Sequence, residues 1–254
     1  MLSTAEILEH WAKHGRGPVA SVFRRAATSA IGTYGAYVGY GLMHAALREP
    51  FRGAEAFEPL PGDGLVGLPD TEKTFVIDIA APREVVWRYL VQMGYGRAGW
   101  YGWYPMENGG RGSADVILEE WQGLAVGDLI PDGPRAGEGR GVWRVVELER
   151  DVMMVLFSRR VATDGREIAA GTATHEPTIE CSWAFVLRPT PRGCRLVVRV
   201  RVRFLAIDRG LSGRVLRRFF DLGDTVMEWT MLGGIKTRAE HARDPDASRV
   251  PPRD

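Results

Sequence analysis

Hydrophobic and polar positions along the chain change rhythm several times, and each rhythm predicts an element. Residues 72–79 (EKTFVIDI) alternate and are β-branched, which predicts a strand. Residues 82–93 (PREVVWRYLVQM) switch to helical spacing through Val86, Leu90 and Met93, with Pro82 suited to a first turn. A Gly- and aromatic-rich stretch over 94–112 follows, then a short helix or turn over 113–122 and a short strand over 127–131. Strands are predicted over 141–150 and 152–160, joined tightly near Arg150–Asp151, and over 178–187 and 195–206, joined by the turn RPTPRG. Residues 211–242 return to helical spacing. The strand over 195–206 is the clearest: Leu196, Val198, Val200, Val202 and Phe204 share one face, while Arg195, Arg199, Arg201 and Arg203 share the other with Val197. Strand, helix, a run of antiparallel strands and a long final helix predict an α+β domain over 72–242, a curved antiparallel sheet with the helix laid across it.

Ahead of this domain the pattern is different. Residues 3–14 predict a short polar helix and residues 19–48 a longer one, followed by a Pro- and Gly-rich linker over 49–71 lying on a surface. A tail over 243–254 is expected to be disordered. From Ala26 to Leu47, 22 residues carry no Asp, Glu, Lys or Arg. The length suits a membrane span, but six alanines, four glycines and three tyrosines leave little Leu, Ile or Val. A weak span, an interfacial helix and a helix packed through its glycine face all fit this composition. Residues 1–17 have no apolar core of a signal peptide, so a cytoplasmic location is expected, with possible membrane contact through 26–47.

Composition adds exclusions. With 45% hydrophobic and 26% charged residues in 254, the chain is neither disordered nor a coiled coil. Net charge of +1 argues against a nucleic-acid partner. That neutrality hides an asymmetry: ten arginines lie between Arg188 and Arg218 with Asp208 the only acid, so this stretch carries +9 and the remainder −8. The arginine stripe reads either as a solvated sheet face with carboxylate partners or as a patch for anionic lipid head groups. Cys181 and Cys194 are too few for a zinc site and read as buried thiols, or as a pair if neighbouring strands bring them together. His10 and His14 lie one turn apart without an HExxH pattern, and GxSxG, P-loop and CxxC motifs are missing, so neither metal nor cofactor is expected.

Several segments together carry a resemblance: FVIDIAAPREVVWRYLVQMG, GRAGWYGWYPMEN, SADVILEEWQGLAVGDLIP, CSWAFVLRPTPRGCRLVVRVR and the closing MEWTMLGGIKTRAE. Over residues 72–241 the chain resembles the SRPBCC superfamily of START lipid-transfer domains, Bet v 1-like proteins and polyketide cyclases, in a bacterial subgroup. The resemblance implies a helix-grip fold, with a hydrophobic tunnel between sheet and C-terminal helix that holds lipids, polyketides or similar apolar molecules. A minority of that superfamily catalyse cyclisation or dehydration. Many members of the subgroup carry a hydrophobic N-terminal helix, which strengthens the membrane reading of 26–47.

On this reading the chain carries or sequesters a small apolar molecule; the alternative is a cofactor-independent cyclase or dehydratase using the same cavity. Expected wall residues are Trp143, Phe157, Trp183, Phe185, Val200 and Phe204 from the strands, and Met227 and Met231 from the final helix. Trp100, Tyr101, Trp103 and Tyr104, set among six glycines between Gly94 and Gly110, read either as a plug on the sheet edge or as an aromatic gate. Tyr101, His175 and Glu228 are the candidate acid/base residues. Glu228 has three readings: facing solvent, bridged to Arg199 or Arg201, or turned inward with a perturbed pKa.

Overall fold

The alternation read from the sequence becomes one six-stranded antiparallel sheet. Its strands are β1 (Thr71–Ile79), β2 (Leu129–Pro131), β3 (Val142–Glu149), β4 (Met153–Val161), β5 (Thr178–Thr190) and β6 (Gly193–Leu205), arranged in the order β1-β6-β5-β4-β3-β2. Two helices complete the domain, α1 (Arg83–Val91) and the 33-residue α2 (Leu211–Arg243). The computed structural model describes residues 53–102, 108–169, 171–207 and 210–243. The chain divides into two compact units, Met1–Arg48 and Glu49–Asp254. The first, which holds the uncharged segment 26–47 and the His10–His14 pair, lies outside the described residues, as does the tail from 244. No helix among the described residues is long and apolar enough to cross a membrane.

Register fixes which side chains share a face. Phe75 sits opposite Val198, Val200 opposite Trp183, and Trp183 opposite Leu156, so these residues line one side of the sheet. Met231, Leu232, Ile235 and Ala239 of α2 are completely buried in the same cluster. Each large side chain so buried contributes about 1.5–3 kcal/mol. Phe75 meets Trp229 edge-on, ring centroids 5.5 Å apart. Near the end of α2, Lys236 Nζ donates to the Asp78 carbonyl at 2.8 Å and Glu240 accepts from the Ala80 amide at 2.7 Å, which pins the helix to the end of β1. The expected α+β architecture, sheet plus long C-terminal helix, is the observed one.

The opposite face of the sheet is roofed. Residues 53–70, expected as a linker, lie over it and bury Leu60 with Val186 and Val197 in a second apolar cluster, with Val76 and Met153 packed against them. Arg199, only 3% exposed, donates to Thr74 Oγ1, to the Glu55 and Glu58 carbonyls and to Asp63 Oδ2, at 2.7–3.1 Å. Arg195 pairs with Asp78 and Glu55, and Arg201 with Glu72 and Asp63. The stripe thus has the cross-strand carboxylate partners expected of it, Asp78 for Arg195 and Glu72 for Arg201, but Arg199 and Arg201 are covered rather than solvated, and no open head-group patch runs along Arg195–Arg201. The stripe anchors the segment that precedes β1.

Residues 113–122, expected as a short helix or turn, hold a single 3-10 turn, Glu119–Trp121. One local expectation changes. Phe157 faces the roofed side: it pairs with Ser182 and Arg144, out of phase with Leu156 and Trp183. Inward positions of β4 are Met154, Leu156, Ser158 and Arg160.

Candidate functional site

Aromatic rings concentrate on the inward face around Trp183. Period 2 along β5 puts Trp183 and Phe185 on the same side, with centroids 4.9 Å apart. Trp143, on β3 opposite Ile130, reaches Trp183 at 5.1 Å, and Trp100 stacks on it at 5.5 Å with planes 26° apart. Cys181, Val200, Phe204 and Met231 belong to the same buried cluster, and Met227 packs against it.

Trp100 arrives from the glycine-rich loop after α1. Gly94 and Gly99 exchange backbone hydrogen bonds of 3.1–3.2 Å, folding the loop back on itself. Tyr101 follows with φ of 61°, a left-handed conformation rare for a residue with a side chain. Its amide donates to Ser113 Oγ, its hydroxyl accepts from Gln92 Nε2 at 2.7 Å and donates to the Tyr89 carbonyl at 3.1 Å. Burial pushes its phenol far above the ordinary tyrosine value, the Gln92 bond offsetting only part of the rise. This hydroxyl is thus held neutral, with its proton committed to the Tyr89 carbonyl. The Tyr101 carbonyl lies against α2 at Gly234, where no side chain would fit. Trp100 and Tyr101 therefore behave as a plug built into the core. Trp103 and Tyr104 lie outside the described residues.

Charged groups also occupy this side of the sheet. Lys73, in phase with Phe75 on β1 and 6% exposed, places Nζ 2.6 Å from Asp224 Oδ2 and 3.2 Å from Asp221 Oδ1, and donates to Thr225 Oγ1 at 3.1 Å. Burial raises the Asp224 pKa, and Lys73 counteracts part of that rise. Glu228, four residues further along α2, is completely buried. Arg199 and Arg201 are on the roofed face, so neither is its partner. Arg160 pairs with Asp132 and lies 5.5 Å over the Trp143 ring. Glu180 faces outward and holds Arg159 at 2.8 Å.

His175 sits exposed on the 162–177 connection, and nothing brings it to the aromatic cluster. Sequence reasoning missed Lys73, Asp224 and Arg160. The signal for Lys73 was present: it is one of three lysines in the chain and occupies the apolar phase of its strand. Cys181 and Cys194 are free and buried at different levels of the β5–β6 pair, opposite Val202 and Pro189. Burial pushes their thiols up to about 12 and about 11. Among the described residues, no group of three His, Cys, Asp or Glu could hold a metal ion.

A six-stranded antiparallel sheet gripping a long C-terminal helix defines a helix-grip-like α+β protein. No family model matches the chain, and no curated protein matches it in sequence. Similar solved structures are bacterial structural-genomics proteins. Protein MLL2253 from Mesorhizobium loti is 16% identical, with 71% of this chain and 100% of that one covered, at a TM-score of 0.36. NE0264 from Nitrosomonas europaea is 13% identical over 68% and 96%, at 0.41. A protein from Arthrobacter aurescens is 16% identical over 69% and 92%, at 0.37.

Proposed function

We propose that this domain binds a small hydrophobic molecule between the inward face of the sheet and α2, as a carrier or sequestering protein of the SRPBCC kind. The observation that carries the proposal is the cluster of Trp100, Trp143, Trp183 and Phe185 facing α2, with the methionines Met227 and Met231 on the helix side. Aromatic walls with adaptable methionine suit an apolar occupant whose burial supplies affinity at about 25 cal/mol per Å² before association costs. Native mass spectrometry and solvent extraction of the protein purified from its own host test it. A co-purifying hydrophobic molecule is expected. A clean apo mass together with no binding of the apolar dye ANS overturns the proposal.

A second reading, a cyclase- or dehydratase-type enzyme, draws on one observation: the completely buried carboxylate of Glu228 beside the apolar cluster. Under that reading Glu228→Gln retains the bound molecule but stops its conversion, whereas a carrier shows no conversion with either side chain. Membrane contact through residues 26–47 is part of the proposal, and carbonate washing of host membranes tests it. Retention in the pellet supports a span, and full release excludes one.

A further inference from the structure

We propose that the corner of the domain where β6 passes into α2 docks on an anionic lipid surface, with Leu65 and Leu68 entering the headgroup layer and Arg203, Arg214 and Arg218 facing its negative charge. This contact is separate from the one proposed for 26–47, and the two leucines sit on the roofed side of the sheet, opposite the aromatic cluster. Leu68 is 88% exposed and Leu65 38%, whereas Val66 between them is completely buried. The segment is held in that pose. The Leu65 amide donates to the Gly62 carbonyl at 3.1 Å, Arg201 donates to the Gly67 carbonyl at 3.0 Å, and Asp70 Oδ2 accepts from the Phe204 amide at 2.8 Å. A turn that tucks in its valine and is fastened on both sides of its leucines presents them to something other than water.

Charge separates this corner from the rest of the roof. Further back along the stripe the arginines are matched, Arg195 by Asp78 and Glu55, and Arg199 and Arg201 by Asp63. Arg203, next in phase and beside Gly67, pairs with no carboxylate among the described residues: Glu180, opposite it on β5, holds Arg159. In the first turns of α2, Arg214, Arg217 and Arg218 share one helix face. Phe204 ties this face to the roof, its ring 5.5 Å under Arg217 and its amide on Asp70. Arg214 and Arg218 are exposed, and the first turn of α2 carries no acid, although acids are what the positive end of a helix favours. Asp221 lies 3.2 Å from Lys73 against 4.0 Å from Arg218, so its charge is already engaged. Unmatched cations beside exposed leucines fit a surface that is negative above and apolar beneath, which an anionic bilayer is and a nucleic acid is not. The chain itself favours lipid, since only residues 48–52 separate the uncharged stretch 26–47 from the start of the roof.

The test uses the full chain with one added cysteine, Leu68→Cys, carrying an environment-sensitive dye; Cys181 and Cys194 are buried and stay unlabelled. The probes are vesicles of phosphatidylcholine alone and vesicles in which part of the lipid is phosphatidylserine. A blue shift of the dye is expected with the serine lipid, fading in high salt, and none with phosphatidylcholine. Replacing Arg203 and Arg214 by glutamine in the labelled chain is expected to weaken binding about fivefold for each arginine. A dye at Phe57→Cys, 83% exposed but beside the matched pairs of Glu55 and Glu58, is expected to stay unshifted. An unshifted dye at position 68, a shift indifferent to lipid charge, or an equal shift with duplex DNA overturns the proposal. So does a shift without vesicles that grows with protein concentration, which marks self-association. Sedimentation of the unlabelled chain with vesicles keeps the two contacts apart: co-sedimentation with an unshifted dye leaves the contact through 26–47 standing, and failure of both removes both.

Discussion

A methyl group added at Gly234 tests how the loop after α1 is seated. A Cβ at this position would lie 2.0 Å from the Tyr101 carbonyl oxygen and 2.9 Å from both its carbonyl carbon and its Cβ. Those atoms cannot swing aside as a flexible side chain would. They are held by the Tyr101 amide on Ser113, by its hydroxyl between Gln92 and Tyr89, and by Trp100 stacked on Trp183. Gly233 is the internal control: the same substitution meets nothing within 4 Å. Alanine in place of glycine in a helix interior is worth about 0.8–1 kcal/mol of propensity at both sites. That gain cancels in a comparison of Gly233→Ala with Gly234→Ala, leaving the cost of forcing backbone apart, about 1–3 kcal/mol. For a domain of this size each kcal/mol moves Tm by about 2–4 °C, so the two variants should separate by about 2–12 °C. Thermal and urea unfolding followed by circular dichroism measure the gap. If both variants melt together above the parent protein, Tyr101 does not rest on α2 and the plug is misplaced.

Arg199→Met removes a buried guanidinium, takes from Asp63 one of its two arginines and leaves the Glu55 and Glu58 carbonyls without this donor; the expected loss is about 3–5 kcal/mol in urea unfolding, and a loss below about 1 kcal/mol would show that the 53–70 roof is held by other contacts. Asp78 and Asp224 should act on stability with opposite signs. The hydrogen bonds from Arg195 hold Asp78 below the ordinary 3.8, so its contribution is present above that pH and is lost as pH falls; Asp78→Asn should flatten the acid limb of a stability–pH curve. Burial holds Asp224 above 3.8, so its contribution is full below that pH and declines as pH rises through the folded-state value; Asp224→Asn should remove that decline, and an unchanged slope refutes the assignment. Neither Cys181 nor Cys194 should react with a thiol-specific disulfide reagent at about pH 8 until the protein is unfolded, because the thiolate is the reactive form; rapid native labelling contradicts their burial.

How much of this was readable in the sequence depended on whether the two faces of a strand differ. Along β6, aliphatic and arginine positions alternate, and register and inward face followed at once. Along β4 the run Met153–Phe157 is apolar throughout, because Val155 lies under the roof at Gly62 while Leu156 faces the core. A strand covered on both sides carries no alternation, so its phase was ambiguous and Phe157 was set on the wrong face. The roof itself was hidden for another reason. Much of its grip is backbone, the Glu55 and Glu58 carbonyls accepting from Arg199, and a carbonyl is the same in every residue. Proline and glycine there announced irregular chain without announcing where it lay. On the inward face, Trp183 and Phe185 followed from period 2. Lys73 did not, because a lone lysine in an apolar phase looks like an edge exception until Asp221 and Asp224 are placed beside it.

The near-zero net charge is then a sum over faces with different chemistry. The excess of arginine after residue 188 is met by carboxylates that come earlier in the chain, Glu55, Glu58, Asp63, Glu72 and Asp78, so charges distant in sequence are neutralised locally on the roofed face. A guanidinium such as Arg199, 3% exposed and holding four acceptors, is out of reach of a phosphate head group unless the roof is dismantled. The sheet arginines Arg195, Arg199 and Arg201 are engaged in holding the roof, so the membrane contact proposed for 26–47 rests on the sequence of that stretch. On the inward face the logic reverses. The charges of Lys73 and Arg160 are paired with aspartates, and the donors left over are the neutral indoles. The inward face thus keeps these two cations paired beside an aromatic, apolar surface, and the proposed carriage of an apolar molecule rests on that surface.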